Sequence, residues 1–495
     1  MNLLKRNAIP DWAALSVIIG LAAVLGAAVV LLPLAYVMGF ALVMLAPLWA
    51  IVIFGLPKVQ RVPYPLLQGV FGFIIFMYFV WPQYVLIPWS ALPIKSPQKI
   101  LYFIYLAVWL GYLAKVPEMR DRLKQSYHHN KLTLNLLIAL IAWRLITVFT
   151  SELPFVSFYR FVYEISTYFL MVPIAISLVR SDDDIKTLLN WLLAAAVVTS
   201  LYAIPEYAIK HTIFARFNTL NIIDPIQAQL VNAPKFRGGN YRAQSSFDHP
   251  LSFSEFLVSV LPWALISIMI FKRRWLVVAG VGLIGVGLVL TNSRSSLAGA
   301  MVVVGLLLFL ALFRNAKNGR TDQWPLIAAI VLLPIALMSA YLFSSPFVAL
   351  LKGRTALEQG STFARTQMLD RGLPLVIQKP VAGYGPGMGA TKLDFTNTHG
   401  TITLDNYYLS AALDSGVTYV FLLIALSIAA LFRSMREIGD ADPMRAWMFG
   451  SMGIGIIGFL IVKAVLGTEL NFPLYFLLIG LICANTELTV AKKNV

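Results

Sequence analysis

A polytopic all-α membrane protein is predicted by three features of the chain. Of its 495 residues 59% are hydrophobic and 13% charged, with mean hydropathy +0.77, against the roughly one-quarter charged content of soluble domains. The apolar residues come in runs of about 20, the length a helix needs to cross roughly 30 Å of hydrocarbon. The basic residues gather in alternate connections between those runs, as the positive-inside rule requires.

The runs fall near 12–32, 34–55, 65–84, 99–115, 132–150, 158–179, 187–207, 250–271, 275–292, 295–313, 325–344, 406–432, 447–466 and 472–489, which predicts about fourteen transmembrane helices. The first run follows MNLLKRNAIPDW. Its basic start resembles a signal peptide, but the run is too long and lacks a cleavage box, so an uncleaved helix is expected. With Lys5 and Arg6 inside, the cytoplasmic connections hold Lys58 and Arg61; Lys115, Arg120, Arg122, Lys124 and Lys131; Arg180 and Lys186; Lys272, Arg273 and Arg274; Arg314, Lys317 and Arg320; Arg433, Arg436 and Arg445; Lys492 and Lys493. Outer connections near Pro33, Ser151–Ser157 and Gly467 carry neither Lys nor Arg. Both termini are therefore expected in the cytoplasm, with an even number of helices.

No linker, low-complexity tract or repeat divides residues 1–495, so a single membrane domain is expected. The net charge of +16 lies in short connections; it reads as a topology signal and excludes a basic nucleic-acid face. The single cysteine, Cys483, lies in the last run, which excludes a disulfide framework and a Cys-based metal site.

Three outer segments break the charge pattern. The loop from Ala208 to His249 holds Lys210, Arg216, Lys235, Arg237 and Arg242, a surplus that long loops tolerate. The corner TNSRSS holds Arg294 between two apolar runs, where a charge is costly unless something requires it. Ser295 would cap the following helix, whose free N–H groups and dipole favour an anion, and Arg294 adds a fork suited to phosphate. Residues Thr291 to Ser296 then read as a phosphate seat; the alternative is a plain helix cap with a snorkelling arginine. The third segment, 345–405, is the largest polar piece. Ser361–Gln378 reads as an amphipathic helix with Arg365 on the face of Met368, Leu369, Gly372 and Val376. There a guanidinium needs an anion, either a ligand or a carboxylate such as Glu358 or Asp370. KPVAGYGPGMGA is neither a Walker loop nor a dinucleotide fingerprint, and a turn is expected.

Arg144 and Lys463 lie within apolar runs and are expected to pair with carboxylates such as Glu164 or Glu469. Glu206 and Glu255 are candidates for an outer cavity. Ser181-Asp182-Asp183-Asp184 is expected to start a solvated helix; no metal-ligand spacing appears elsewhere, and neither metal nor cofactor is expected.

RAQSSFDHP at 242–250, TNSRSS at 291–296, ARTQMLDRGLPLVIQKPVAGYGPG at 364–387 and LDNYYLSAALDSGVTYVFLL at 404–423 together resemble the O-antigen ligase and polysaccharide polymerase superfamily. The resemblance covers about 207–490 and leaves 1–131 outside. It implies a GT-C-like membrane glycosyltransferase at the bacterial inner membrane, with 345–405 as a periplasmic catalytic loop. Arg294 and Arg365 fall on arginines that hold the donor pyrophosphate. Where the family has a catalytic histidine this chain has Asp405, followed by Asn406, and the nearest histidine is His399. The chemistry needs cations at the phosphates and one base or orienting acceptor. Arg294, Arg365, Arg242 and Ser295 are the candidate pyrophosphate-binding residues, and Asp405 or His399 the candidate catalytic group. Asp405 has a rival role as a helix N-cap.

The implied donor is an undecaprenyl pyrophosphate-linked oligosaccharide and the implied acceptor a glycan hydroxyl, attacked with inversion, which makes the chain a polymerase. Transfer to lipid A core, transfer to a protein hydroxyl and a lipid-linked sugar flippase are the alternatives. The lipid bilayer and other polysaccharide assembly proteins are the remaining implied partners.

Overall fold

The computed structural model describes residues 62–87, 95–219, 225–237, 239–317, 356–396, 402–438 and 442–484. Within them the chain is mostly helical. The order is α1 (Tyr64–Val80), α2 (Pro97–Lys115), α3 (Pro117–His129), α4 (Lys131–Phe149) and α5 (Pro154–Glu164), which passes through a π-turn at Ile165–Phe169 into α6 (Met171–Leu178). Next come α7 (Asp182–Ile209), α8 (Pro225–Asn232), a hairpin of β1 (Phe236–Arg237) and β2 (Asn240–Tyr241), α9 (Pro250–Ile270), α10 (Arg274–Leu290) and α11 (Arg294–Lys317). Finally there are α12 (Ala356–Gln378), α13 (Gly389–Leu393), α14 (Tyr407–Ile438), α15 (Pro443–Lys463) and α16 (Phe472–Cys483).

Among the described residues seven segments are long and apolar enough to cross a membrane: α4, α5 with α6, α7, α9, α11, α14 and α15; α1, α10 and α16 are shorter apolar helices. The expected runs at 12–32, 34–55 and 325–344 lie outside the described residues. Helix starts follow local chemistry. Ser181 and Asp184 form a reciprocal capping box, the Asp184 carboxylate accepting the Ser181 N–H at 2.9 Å, as expected of a helix start. Asp442 accepts the Met444 N–H at 2.9 Å with Pro443 in the first turn, where a missing N–H costs nothing.

Contacts divide the chain into two compact units, residues 1–62 with 106–120, and residues 63–105 with 121–495. In the first, the Arg120 guanidinium donates to the Leu113 and Ala114 carbonyls at 3.0 and 2.6 Å, satisfying the end of α2. All candidate site residues belong to the second.

The second unit is centred on α9 and α15, each 78% buried over its apolar window. Several buried charges within it are paired, which offsets the cost of burial. Arg144 donates to Glu164 at 2.8 and 2.6 Å and to Asp414 at 3.1 Å. Lys463 does not meet Glu469. Its partner is Glu255 of α9 at 3.1 Å, both side chains fully buried, while Glu469 binds Arg160 and accepts from Tyr168 at 2.7 Å. Glu206 and Glu255 line no outer cavity, because both are enclosed. Glu206 instead accepts the Tyr241 hydroxyl at 3.0 Å and the N–H groups of Gln244 and Ser245 at 2.9 and 2.7 Å, fixing the loop that follows the hairpin.

α14 breaks at Ser415–Gly416, where Gly416 has φ +78° and a Cβ would stand 1.9 Å from the Val381 carbonyl oxygen. Only glycine fits there. The glycine-rich string closes on this break: Val417 N–H donates to Pro380 at 2.7 Å, and the N–H groups of Gly387 and Gly389 donate to the Asp414 carboxylate at 2.9 and 2.6 Å. It is a turn clasped to α14, as its sequence predicts.

Candidate functional site

The corner between α10 and α11 is built by local hydrogen bonds. Because α11 begins at Arg294, the capping position belongs to Ser293, whose hydroxyl accepts the Ser296 N–H at 3.4 Å and meets the Ser296 hydroxyl at 2.8 Å. This corrects the expected cap at Ser295, which lies two residues too far along and reaches only Ser293 at 3.3 Å. Asn292 turns the chain with φ +46°.

The hairpin docks on that corner. Asn292 donates from Nδ2 to the Arg237 carbonyl at 3.0 Å, Arg237 returns a bond to the Asn292 carbonyl at 3.4 Å, and Ala243 N–H donates to Leu290 at 2.9 Å. Arg242 donates from Nε to the Thr291 carbonyl at 3.0 Å. Its side chain is 9% exposed, and Nη2 is buried with no hydrogen-bond partner among the described residues. The Thr291 and Asn292 polar groups of the expected phosphate seat are thus used by backbone and hairpin, Thr291 Oγ1 donating to Leu288 at 2.7 Å.

α12 presents Arg365. The helix begins at Ala356, earlier than its periodicity predicts, and buries Met368, Gly372 and Val376. Gly372 packs on Leu409 of α14, whose methyl groups would stand 2.8 and 2.9 Å from an added Cβ. Leu369, expected on the same face, is 38% exposed. Arg365 Nε is buried and has no hydrogen-bond partner among the described residues.

Asp405 is not the cap of α14. Asn406 is, its Oδ1 accepting the Leu409 N–H at 3.1 Å. Asp405 stands one residue outside the helix, half-buried, and accepts the Thr403 hydroxyl at 3.2 Å, while its N–H points at Met368 Sδ at 3.4 Å. That sulfur contact ties the start of α14 to the helix carrying Arg365. His399 lies outside the described residues.

Four of these elements converge electrostatically. Burial and the fields of Arg237, Arg365 and Arg294 push the Arg242 guanidinium down to about 9, with Asp405 opposing. The structure therefore brings together Arg242, Arg294, Arg365 and Asp405, all singled out in the sequence, and adds Arg237, which sequence reasoning left among the loop charges. In this cluster Arg242 Nη2 and Arg365 Nε are buried N–H groups with no hydrogen-bond partner among the described residues, a cost that an anion would relieve. His249 lies at its margin. Burial and the charges of Arg242, Lys235, Arg237 and Arg365 hold its imidazole well below the ordinary histidine range. The signal for His249 was the Asp-His-Pro sequence, a helix entry with proline at its first position.

A family model described as O-antigen ligase matches residues 279–424. That stretch runs from α10 into α14 and contains Arg294, Arg365 and Asp405; the hairpin and His249 precede it. No curated protein matches the chain.

Proposed function

We propose that this member of the O-antigen ligase and polymerase superfamily is a polysaccharide polymerase, a membrane glycosyltransferase that moves an undecaprenyl pyrophosphate-linked oligosaccharide onto a glycan hydroxyl at the periplasmic face. The observation that carries this reading is the pair of buried N–H groups, Arg242 Nη2 and Arg365 Nε, that have no hydrogen-bond partner among the described residues, in a cluster where Arg237, Arg294 and Asp405 also act on Arg242. Two phosphates at that cluster would accept the unused N–H groups, and arginine forks suit them. In the reaction the acceptor oxygen forms a bond to the anomeric carbon as the carbon–oxygen bond to pyrophosphate breaks. The departing lipid pyrophosphate keeps the electron pair, its charge held by the arginines. Asp405 takes or orients the hydroxyl proton, and attack opposite the leaving group inverts the anomeric centre. Asp405 is available for this because Asn406 satisfies the helix cap.

The family description names a ligase, which favours transfer to lipid A core as the second reading. Purified protein given lipid-linked repeat units alone separates the two. Growing chains are the expected product; transfer that occurs only when core lipid is added supports ligation and overturns polymerisation. Lipid movement across liposomes without either product overturns the enzyme.

A further inference from the structure

We propose that His249 is a further ligand-contacting residue of the anion site, donating its Nε2–H to a pyrophosphate oxygen of the lipid donor. Its position follows from the cap of α9: Nδ1 accepts the Leu251 N–H at 3.1 Å, with Pro250 in the first helical position. An accepting Nδ1 carries no proton, so the neutral ring carries its proton on Nε2. That capping bond is the ring's one hydrogen bond among the described residues. The first turn of α9 lies against the start of α11, where the Ser254 and Ser296 hydroxyls meet, and burial together with the charges of Arg242, Lys235, Arg237 and Arg365 disfavours a second proton on the ring.

A neutral imidazole locked in this tautomer is a donor and not a base, which leaves proton removal to Asp405. The α9 N-terminus behind it adds a dipole that favours negative charge. The independent sign that an anion belongs here is Arg242, nine-tenths buried with Nη2 unpartnered among the described residues. The inference rests on the functional reading above, because the anion is the donor's pyrophosphate.

The test is equilibrium binding of undecaprenyl pyrophosphate to the purified full chain in detergent, comparing wild type, His249→Asn and Arg365→Gln. Asparagine keeps an oxygen for the cap but withdraws the Nε2–H. The expected result is affinity about ten-fold weaker for His249→Asn, the loss of one hydrogen bond to a charged group, and weaker binding for Arg365→Gln. Wild-type affinity in His249→Asn together with weakening in Arg365→Gln overturns the role of His249 alone. Wild-type affinity in both variants, or no binding to the wild type, overturns the pyrophosphate site and this inference with it. Undecaprenol, which lacks phosphate, guards against a folding defect: loss confined to the pyrophosphate lipid supports the contact, and equal loss for both lipids contradicts it.

Discussion

Two adjacent residues divide the work at the start of α14. Asn406 caps the helix and Asp405 acts electrostatically on Arg242, so their substitutions are expected to have opposite signatures. Asp405→Asn removes the group proposed to handle the proton; glycan transfer falls about 10²- to 10⁴-fold while the protein melts normally. Asn406→Ala loses about 1 kcal/mol of stability, seen as a lower melting temperature, and transfer per folded molecule is retained. Arg294 and Arg365 could be singled out in the sequence because an arginine among apolar residues demands an anion. Asn406 and Ser293 could not, because the choice of cap turns on one residue of register.

At the scale of elements, α12 and α14 act as one support. Gly372 lets them approach until Leu409 fills the space a side chain would take, and Asp405 and Arg365 ride on the two partners. Gly372→Val is expected to cost about 1–3 kcal/mol through overpacking and to weaken donor binding, as thermal melting and a binding isotherm would show. Unchanged donor affinity in this variant would mean that α12 does not position Arg365. Periodicity found the helix and the face of Met368 and Val376 but not its true start, since the residues before Ser361 add little apolar pattern. The hairpin was illegible for a different reason. Its bonds to Leu290, Thr291 and Asn292 join segments about fifty residues apart, a pairing no local pattern encodes. For that reason Arg237 read as one loop charge among several.

At the scale of the molecule, the charges sort into two populations. In the helical interior several are paired with an opposite charge: Arg144 with Glu164 and Asp414, and Lys463 with Glu255. Arg144→Met should lower stability by about 3–5 kcal/mol, because it strands buried carboxylates; adding Glu164→Gln should recover part of the loss in the same melting assay. At the hairpin and α12, by contrast, there is a surplus of buried N–H groups: Arg242 Nη2 and Arg365 Nε have no hydrogen-bond partner among the described residues. Composition and run length made the helical membrane class legible, and the order of short motifs pointed to the superfamily. Which acidic residue each buried cation meets was not legible, because it depends on how helices face one another. The central claim is that this surplus holds the donor pyrophosphate. Its most direct measurement is the rate of chain growth from purified lipid-linked repeat units by Arg365→Gln at a melting temperature matching wild type. A loss of about 10²-fold or more is expected from removing a cation that steadies the leaving charge, and growth at the wild-type rate would contradict the claim.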